Sequence, residues 1–391
     1  MDGSCSPSDR EAHKGTQPRT AEIKVCKETG IPDLRDGLGS TDLSLVCLFV
    51  SPLADFDHIA RDASQAFAGA TVVACTTAGE IGSGGYADGH VVAAAFPRQS
   101  FASTTLELAP LSNLDPQSQI ERVIKARRQL AREAAHLENE FAFLLIDGLS
   151  MREDELTAML ASGLGSVPLF GGSAGDGNRY CATFLAHGEK VMQDAALLTI
   201  IRTSCPVRVF SLDHLIPTDQ RMVVTKAAPQ GRIVMEINAE PAAEEYARIL
   251  GIDPDQLDQS TLAAHPIVVR VGERHHVRSI QRATDKNELV FLAAIDEGAV
   301  LSLARQTEMD RHLEREFTRL RQPHAPSLIL ACDCILRRVE ADQRRISPRI
   351  SGILADNRVI GFSTYGEQFR SMHVNQTMTG VAIYPPLDGV P

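Results

Sequence analysis

The chain has no tryptophan, and its aromatic share is only 5%. Proteins that hold single-stranded nucleic acid stack bases on aromatic platforms, and few are available here. Nor is there a basic excess, because 39 Lys and Arg face 50 Asp and Glu, for a net charge of −11. A general nucleic-acid binder carries a positive field for phosphates, so that class is disfavoured. Long apolar runs are also missing. The best candidates, Leu43–Val50 and Ala195–Ile201, are strand-sized and fall short of the roughly 18 residues of a membrane span. The first residues, M-D-G-S-C-S-P-S-D-R, contain no apolar segment of a secretory signal. Eight cysteines scattered through the chain make no disulfide framework, so the expected setting is a reducing cytoplasm.

What is present is ordinary globular material. With 391 residues, 43% of them hydrophobic, the chain is long enough for two cored domains. Residues 1–40 are rich in Ser, Thr, Gly, Pro and mixed charge and read as a disordered tail, which sets aside Cys5, His13 and Cys26. Leu43–Val50 is a continuous apolar run suited to a buried strand. Helical spacing follows at 55–67, 116–139, 152–164 and 307–320, with strands between. Asn238 is placed as the N-cap of a helix that has Pro241 in its first turn and stops at Gly251. The expected fold is α+β, with two domains of mixed or antiparallel sheets flanked by helices and a pocket between the halves. The boundary is placed between residues 230 and 231, giving domains at 41–230 and 231–386.

Each half then holds one copy of a short phrase, C-T-T-A-G-E-I at 75–81 and F-S-T-Y-G-E-Q at 362–368. A strand ending in Thr-x-Gly-Glu sets a hydroxyl, a permissive turn and a carboxylate at one strand end. Thr77, Glu80, Thr364 and Glu367 are therefore candidate binding residues. The two carboxylates would serve equally as a general acid–base pair or as anchors for a ligand amine. The Gly171–Gly177 stretch lacks the spacing of a P-loop and reads either as an anion cradle or as a tight structural turn. Cys332 and Cys334 read either as a redox pair or as two packed thiols. Among the twelve histidines, His214 has the most apolar neighbours, F-S-L-D-H-L-I-P at 210–217. His187 and His373 are weaker candidates, and the adjacent His275 and His276 alternate faces of a strand and cannot easily share one metal. No nucleophile is paired with a base, so no enzyme activity is expected.

Four phrases in order, C-T-T-A-G-E-I, F-G-G-S-A-G-D-G at 170–177, C-D-C-I-L-R-R at 332–338 and G-F-S-T-Y-G-E-Q at 361–368, resemble the FIST family of sensory proteins. The stretch from His214 to Leu250 and H-V-N-Q-T-M-T-G at 373–380 look like its haem-binding, nitric-oxide-sensing subset, NosP. The resemblance implies haem held by a histidine, for which His214 is chosen, and a small gaseous ligand on the open face of the iron. It also implies output through a separate histidine kinase or cyclic-di-GMP enzyme; self-association stays open. The alternative is a haem-free sensor of a small metabolite such as an amino acid, with the two Thr-x-Gly-Glu phrases lining its pocket.

Overall fold

Leu43–Val50 is apolar throughout because both of its faces are covered. Leu45, Cys47 and Phe49 point into a core shared by three sheets, while Val46, Leu48 and Val50 meet a helical layer outside. The computed structural model describes residues 22–27, 31–38, 42–271 and 274–386. The class is α+β, with helices flanking mixed sheets. Among the described residues no helix is long and apolar enough to cross a membrane.

Three six-stranded sheets form the body. The first runs Glu22–Lys27, His90–Pro97, Leu43–Val50, Thr71–Thr76, Leu185–His187, Lys190–Met192. The second runs Phe101–Leu108, Ala196–Thr203, Asn139–Ile146, Leu169–Ser173, Glu367–Phe369, Met372–Val374. The third runs Val207–Leu212, Met378–Ile383, Leu328–Cys334, Val359–Thr364, Glu80–Gly82, Gly85–Ala87. In each sheet only the central pairing is parallel, and every other pairing is antiparallel. The sheets are three copies of one unit, at residues 22–97, 101–203 and 207–383.

No unit keeps its own hairpin. The hairpin of the first unit, Glu80–Ala87, completes the third sheet; that of the second, Leu185–Met192, completes the first; that of the third, Glu367–Val374, completes the second. The exchange closes in a ring. Phe49, Phe143, Phe170 and Phe362 from the three sheets meet in the shared core, with Phe49 stacked on Phe362 at 4.7 Å and Phe143 on Phe170 at 4.9 Å. Burying each ring contributes about 1.5–3 kcal/mol.

Residues 215–306 are inserted into the third unit between its first strand and the helix Met309–Leu320. They build a fourth sheet with its own core around Met222, Val234, Tyr246, Ile267 and Leu301. The expected boundary at 230/231 falls in the turn Pro229–Gly231 between the paired strands Leu215–Ala228 and Ile233–Ile237 of this insert.

Two local expectations are corrected. Within the stretch read as a tail, Glu22–Lys27 is a strand and Ile31–Leu38 a helix, with Ile31 and Leu34 buried; residues 1–21 lie outside those described. Order there comes from pairing with the distant strand His90–Pro97, which local composition does not encode. Asn238 is not a helix cap. Asn238 and Ala239 both have positive φ, +53° and +65°, and turn the strand Ile233–Ile237 back onto Glu240–Pro241. The helix Ala242–Leu250 starts after Pro241.

Candidate functional site

The two Thr-x-Gly-Glu phrases occupy equivalent places. Each is where the chain leaves its own sheet and enters the next. Ala78 N donates to Ser363 O (2.9 Å) and Ser363 N to Gly79 O (2.7 Å); Tyr365 N donates to Ser173 O (3.2 Å) and Ser173 N to Gly366 O (2.8 Å). The carboxylates are fully buried. Thr77 Oγ1 donates to Glu80 Oε1 at 2.5 Å, and Thr364 Oγ1 to Glu367 Oε1 at 2.5 Å. The other oxygen is held by the strand ten residues on: Glu80 Oε2 accepts from His90 N at 3.0 Å, and Glu367 Oε2 from Thr377 N at 3.2 Å and Thr377 Oγ1 at 2.8 Å. Burial pushes both acids up, against the opposing pull of these hydrogen bonds, and Glu367 reaches about 8. The four candidate binding residues are thus mutual partners at the strand crossings. Glu80 also borders a cleft of about 260 Å³ together with Leu53 and Arg179.

A third crossing exists that the sequence reading missed. Gly175 N donates to Thr76 O (3.1 Å) and Thr76 N to Phe184 O (3.0 Å), the same pair of bonds closed by the second unit. Here Ala174 and Leu185 stand where the other units have Thr and Glu, so the polar latch is replaced as a pair. Glycines in Gly171–Gly177 serve close approach: a Cβ on Gly171 would lie 2.2 Å from Leu144 O, and one on Gly172 2.4 Å from Thr364 Cγ2. Both lie within the strand Leu169–Ser173, so their role is close packing between strands, which neither the anion-cradle nor the tight-turn reading foresaw.

Between Gly175 and Phe184 the second unit alone carries extra residues, 176–183, ahead of its hairpin. Asp176 ties this loop down, accepting from the N–H groups of Tyr180 (2.8 Å), Cys181 (2.9 Å) and Ala182 (3.0 Å) and from the Tyr365 hydroxyl. Burial opposes ionisation, but those donors hold the Asp176 carboxyl below its ordinary value. Tyr180 is stacked on Tyr365 with centroids 4.2 Å apart and remains 43% exposed.

This loop forms one wall of a cleft of about 900 Å³. The inserted sheet supplies the opposite wall through Leu257, Ile280, Arg282 and Leu292, and the helix Ile335–Gln343 supplies a third through Ile335, Leu336 and Val339. Gln376 closes one side; it is 5% exposed, and its Oε1 has no hydrogen-bond partner among the described residues. The volume lies within the range of small-molecule sites, and apolar walls with a few polar groups are their usual lining. In the same segment, Asn375 Oδ1 and His373 Nδ1 are likewise buried without partners among the described residues. Such groups are rare in folded proteins. Sequence reading passed over Tyr180, a tyrosine set in a turn-rich D-G-N-R-Y run, and Gln376, inside the H-V-N-Q phrase.

The inserted sheet is pinned beside the cleft by buried charge. Arg232 pairs with Glu153, lies 3.6 Å from Asp154 and donates to Leu292 O at 2.7 Å; Arg278 donates to His373 O at 3.1 Å.

His214 lies away from this cleft and is 2% exposed. Its Nδ1 accepts from Arg337 Nη1 at 3.0 Å, and its Nε2 donates to Glu340 at 3.0 Å. Arg337, itself fully buried, is held by Asp333 at 2.7 Å, and Asp333 by the Tyr86 hydroxyl at 2.5 Å. An iron ligand needs one free ring nitrogen. Freeing Nδ1 takes a partner from the buried Arg337, and freeing Nε2 takes one from Glu340, which keeps Arg344 at 3.2 Å; as the ring stands, both nitrogens are engaged, and these residues do not fit a haem at His214. Among the described residues no histidine lines the large cleft. His187 is tied to Glu107 at 2.8 Å on the first sheet. Among the described residues no group of three or more His, Cys, Asp or Glu side chains is placed to hold a metal ion. Cys332 and Cys334 are fully buried packed thiols, both pushed up by burial.

Comparison with known families matches residues 44–240 to the FIST N domain and residues 242–370 to the FIST C domain. No curated protein matches the chain.

Proposed function

The chain belongs to the FIST family, whose domains are small-ligand sensors of signalling, and on that premise we propose that its ligand occupies the cleft between the loop 176–183, the inserted sheet and the helix Ile335–Gln343. The observation that carries this is the coincidence of the cleft with places where the threefold pattern is broken: the extra loop of the second unit, the insert of the third, and the helix Ile335–Gln343, which makes two helices between the parallel strands of the third unit where the others have one. Departures from a repeated design belong at functional sites. The buried amide oxygen of Gln376, left without a partner at the same wall, supports it.

Because the cleft touches elements of all these parts, occupancy would bias how the insert sits on the body, a two-state element for a signal. Of the two readings raised by the sequence, the haem-free one is preferred, since both nitrogens of His214 are engaged. Output to a separate histidine kinase or cyclic-di-GMP enzyme is carried forward from the family resemblance. A binding role rather than an enzymatic one is favoured because the two carboxylates that could act as acid and base are each closed off by their own threonine.

The test is a thermal-shift screen of pooled metabolites, amino acids included, on wild type and on Ala283→Trp, which places an indole in the cleft. A ligand at about 100 times its Kd adds about 2.7 kcal/mol of stability. The proposal expects a compound that raises the Tm of the wild type and not of the variant. If every stabilising compound acts equally on both, the cleft is not the site.

A further inference from the structure

Resting on the cleft as the ligand site, we infer that the ligand is a purine nucleotide, its base stacked on Tyr180, the edge of the base read by Gln376 and its phosphate held by Arg282. Two residues facing the cleft adopt the left-handed backbone that bulky side chains avoid, Tyr180 with φ +53° and Gln376 with φ +50°. Such conformations persist where the surroundings enforce them, and they concentrate at ligand sites. For Tyr180 the enforcement is visible: its N–H is fixed by Asp176, and its ring lies on Tyr365 at an interplanar angle of 16°. Tyr180 lines the cavity and is 43% exposed, and an aromatic ring there favours a planar ligand over an aliphatic one.

The polar groups match a base better than a point charge. A carboxamide donates and accepts side by side, as the edge of a purine does. Gln376 offers an unpartnered amide oxygen from a buried position, Asn178, Gln281 and Gln343 add three more amides to the walls, and Asp258 adds one carboxylate. At the same cleft Arg282 is exposed and makes no ion pair among the described residues. A guanidinium of this kind suits a phosphate.

Isothermal titration with GMP, AMP and ribose 5-phosphate tests the inference. At least one nucleotide should bind, with ribose 5-phosphate weaker by about tenfold or more. Tyr180→Ala should weaken the nucleotide by a similar factor, while Tyr180→Phe, which keeps the ring, should restore it. Gln376→Leu should reduce the preference between GMP and AMP. The inference is overturned if neither nucleotide binds, if ribose 5-phosphate binds as tightly, or if Tyr180→Ala binds like wild type. A non-aromatic metabolite that stabilises wild type but not Ala283→Trp, with neither nucleotide binding, would sink the purine assignment and leave the cleft reading standing.

Discussion

Glu367 shows what a buried carboxyl at a strand crossing costs. In the folded chain it holds its proton to about pH 8, against an ordinary value of 4.5. Between those values the folded state binds more protons than the unfolded one, so stability falls as pH rises through that window and levels off above it. The slope is at most about 1.4 kcal/mol per pH unit. Glu367→Gln supplies a neutral isostere, and melts across the window should give a flatter Tm profile than wild type. An unchanged slope would mean that Glu367 is not the titrating group. Sequence gave the two crossings their due as repeats but misjudged their chemistry. A Thr three residues before a Glu is the same string whether the pair faces a ligand or each other, and only burial decides. The third crossing was invisible because Ala174 and Leu185 had replaced the polar pair together. For His214 the apolar neighbours in sequence gave no sign of Arg337 and Glu340, its partners from more than a hundred residues away.

Among the elements, the exchanged hairpins depend on contacts too close for side chains. Gly85, φ +92°, lies where a Cβ would come 2.3 Å from Ser351 Cα in the helix Ser347–Asp356 of another unit. Gly85→Ala should push the hairpin off the third sheet at a cost of more than about 1–3 kcal/mol, read as a lowered midpoint in urea. A variant of wild-type stability would show that the hairpin does not seat there. At the insert, Arg232→Met leaves Glu153 buried without its partner, and breaking such a pair costs about 3–5 kcal/mol. If hydrogen exchange in 215–306 is unaltered in that variant, the ion cluster is not what anchors the insert. Strand and helix positions were largely legible, since periodicity is local. Which sheet a hairpin joins was not, because Glu80–Gly82 reads the same beside any strand.

Across the whole molecule, the ring of exchanged hairpins means that neither half contains a finished sheet set. Residues 1–204 lack the hairpin that completes the second sheet and hold one destined for the third. Expressed alone, 1–204 and 205–391 should each aggregate through open strand edges, and expressed together they should give a soluble complex. A monomeric, cooperatively melting 1–204 fragment would contradict the interlock. The two family domains, 44–240 and 242–370, therefore mark segments of sequence, whereas the repeat that organises the body is threefold.

The ring also sets a timetable for the ribosome. Glu80–Ala87 leaves the exit tunnel long before its neighbour Val359–Thr364 has been translated, and at about 5–20 residues per second the delay is roughly 15–50 seconds. For that interval a nascent hairpin waits with no sheet to enter, which makes it the natural place for a chaperone to hold the growing chain.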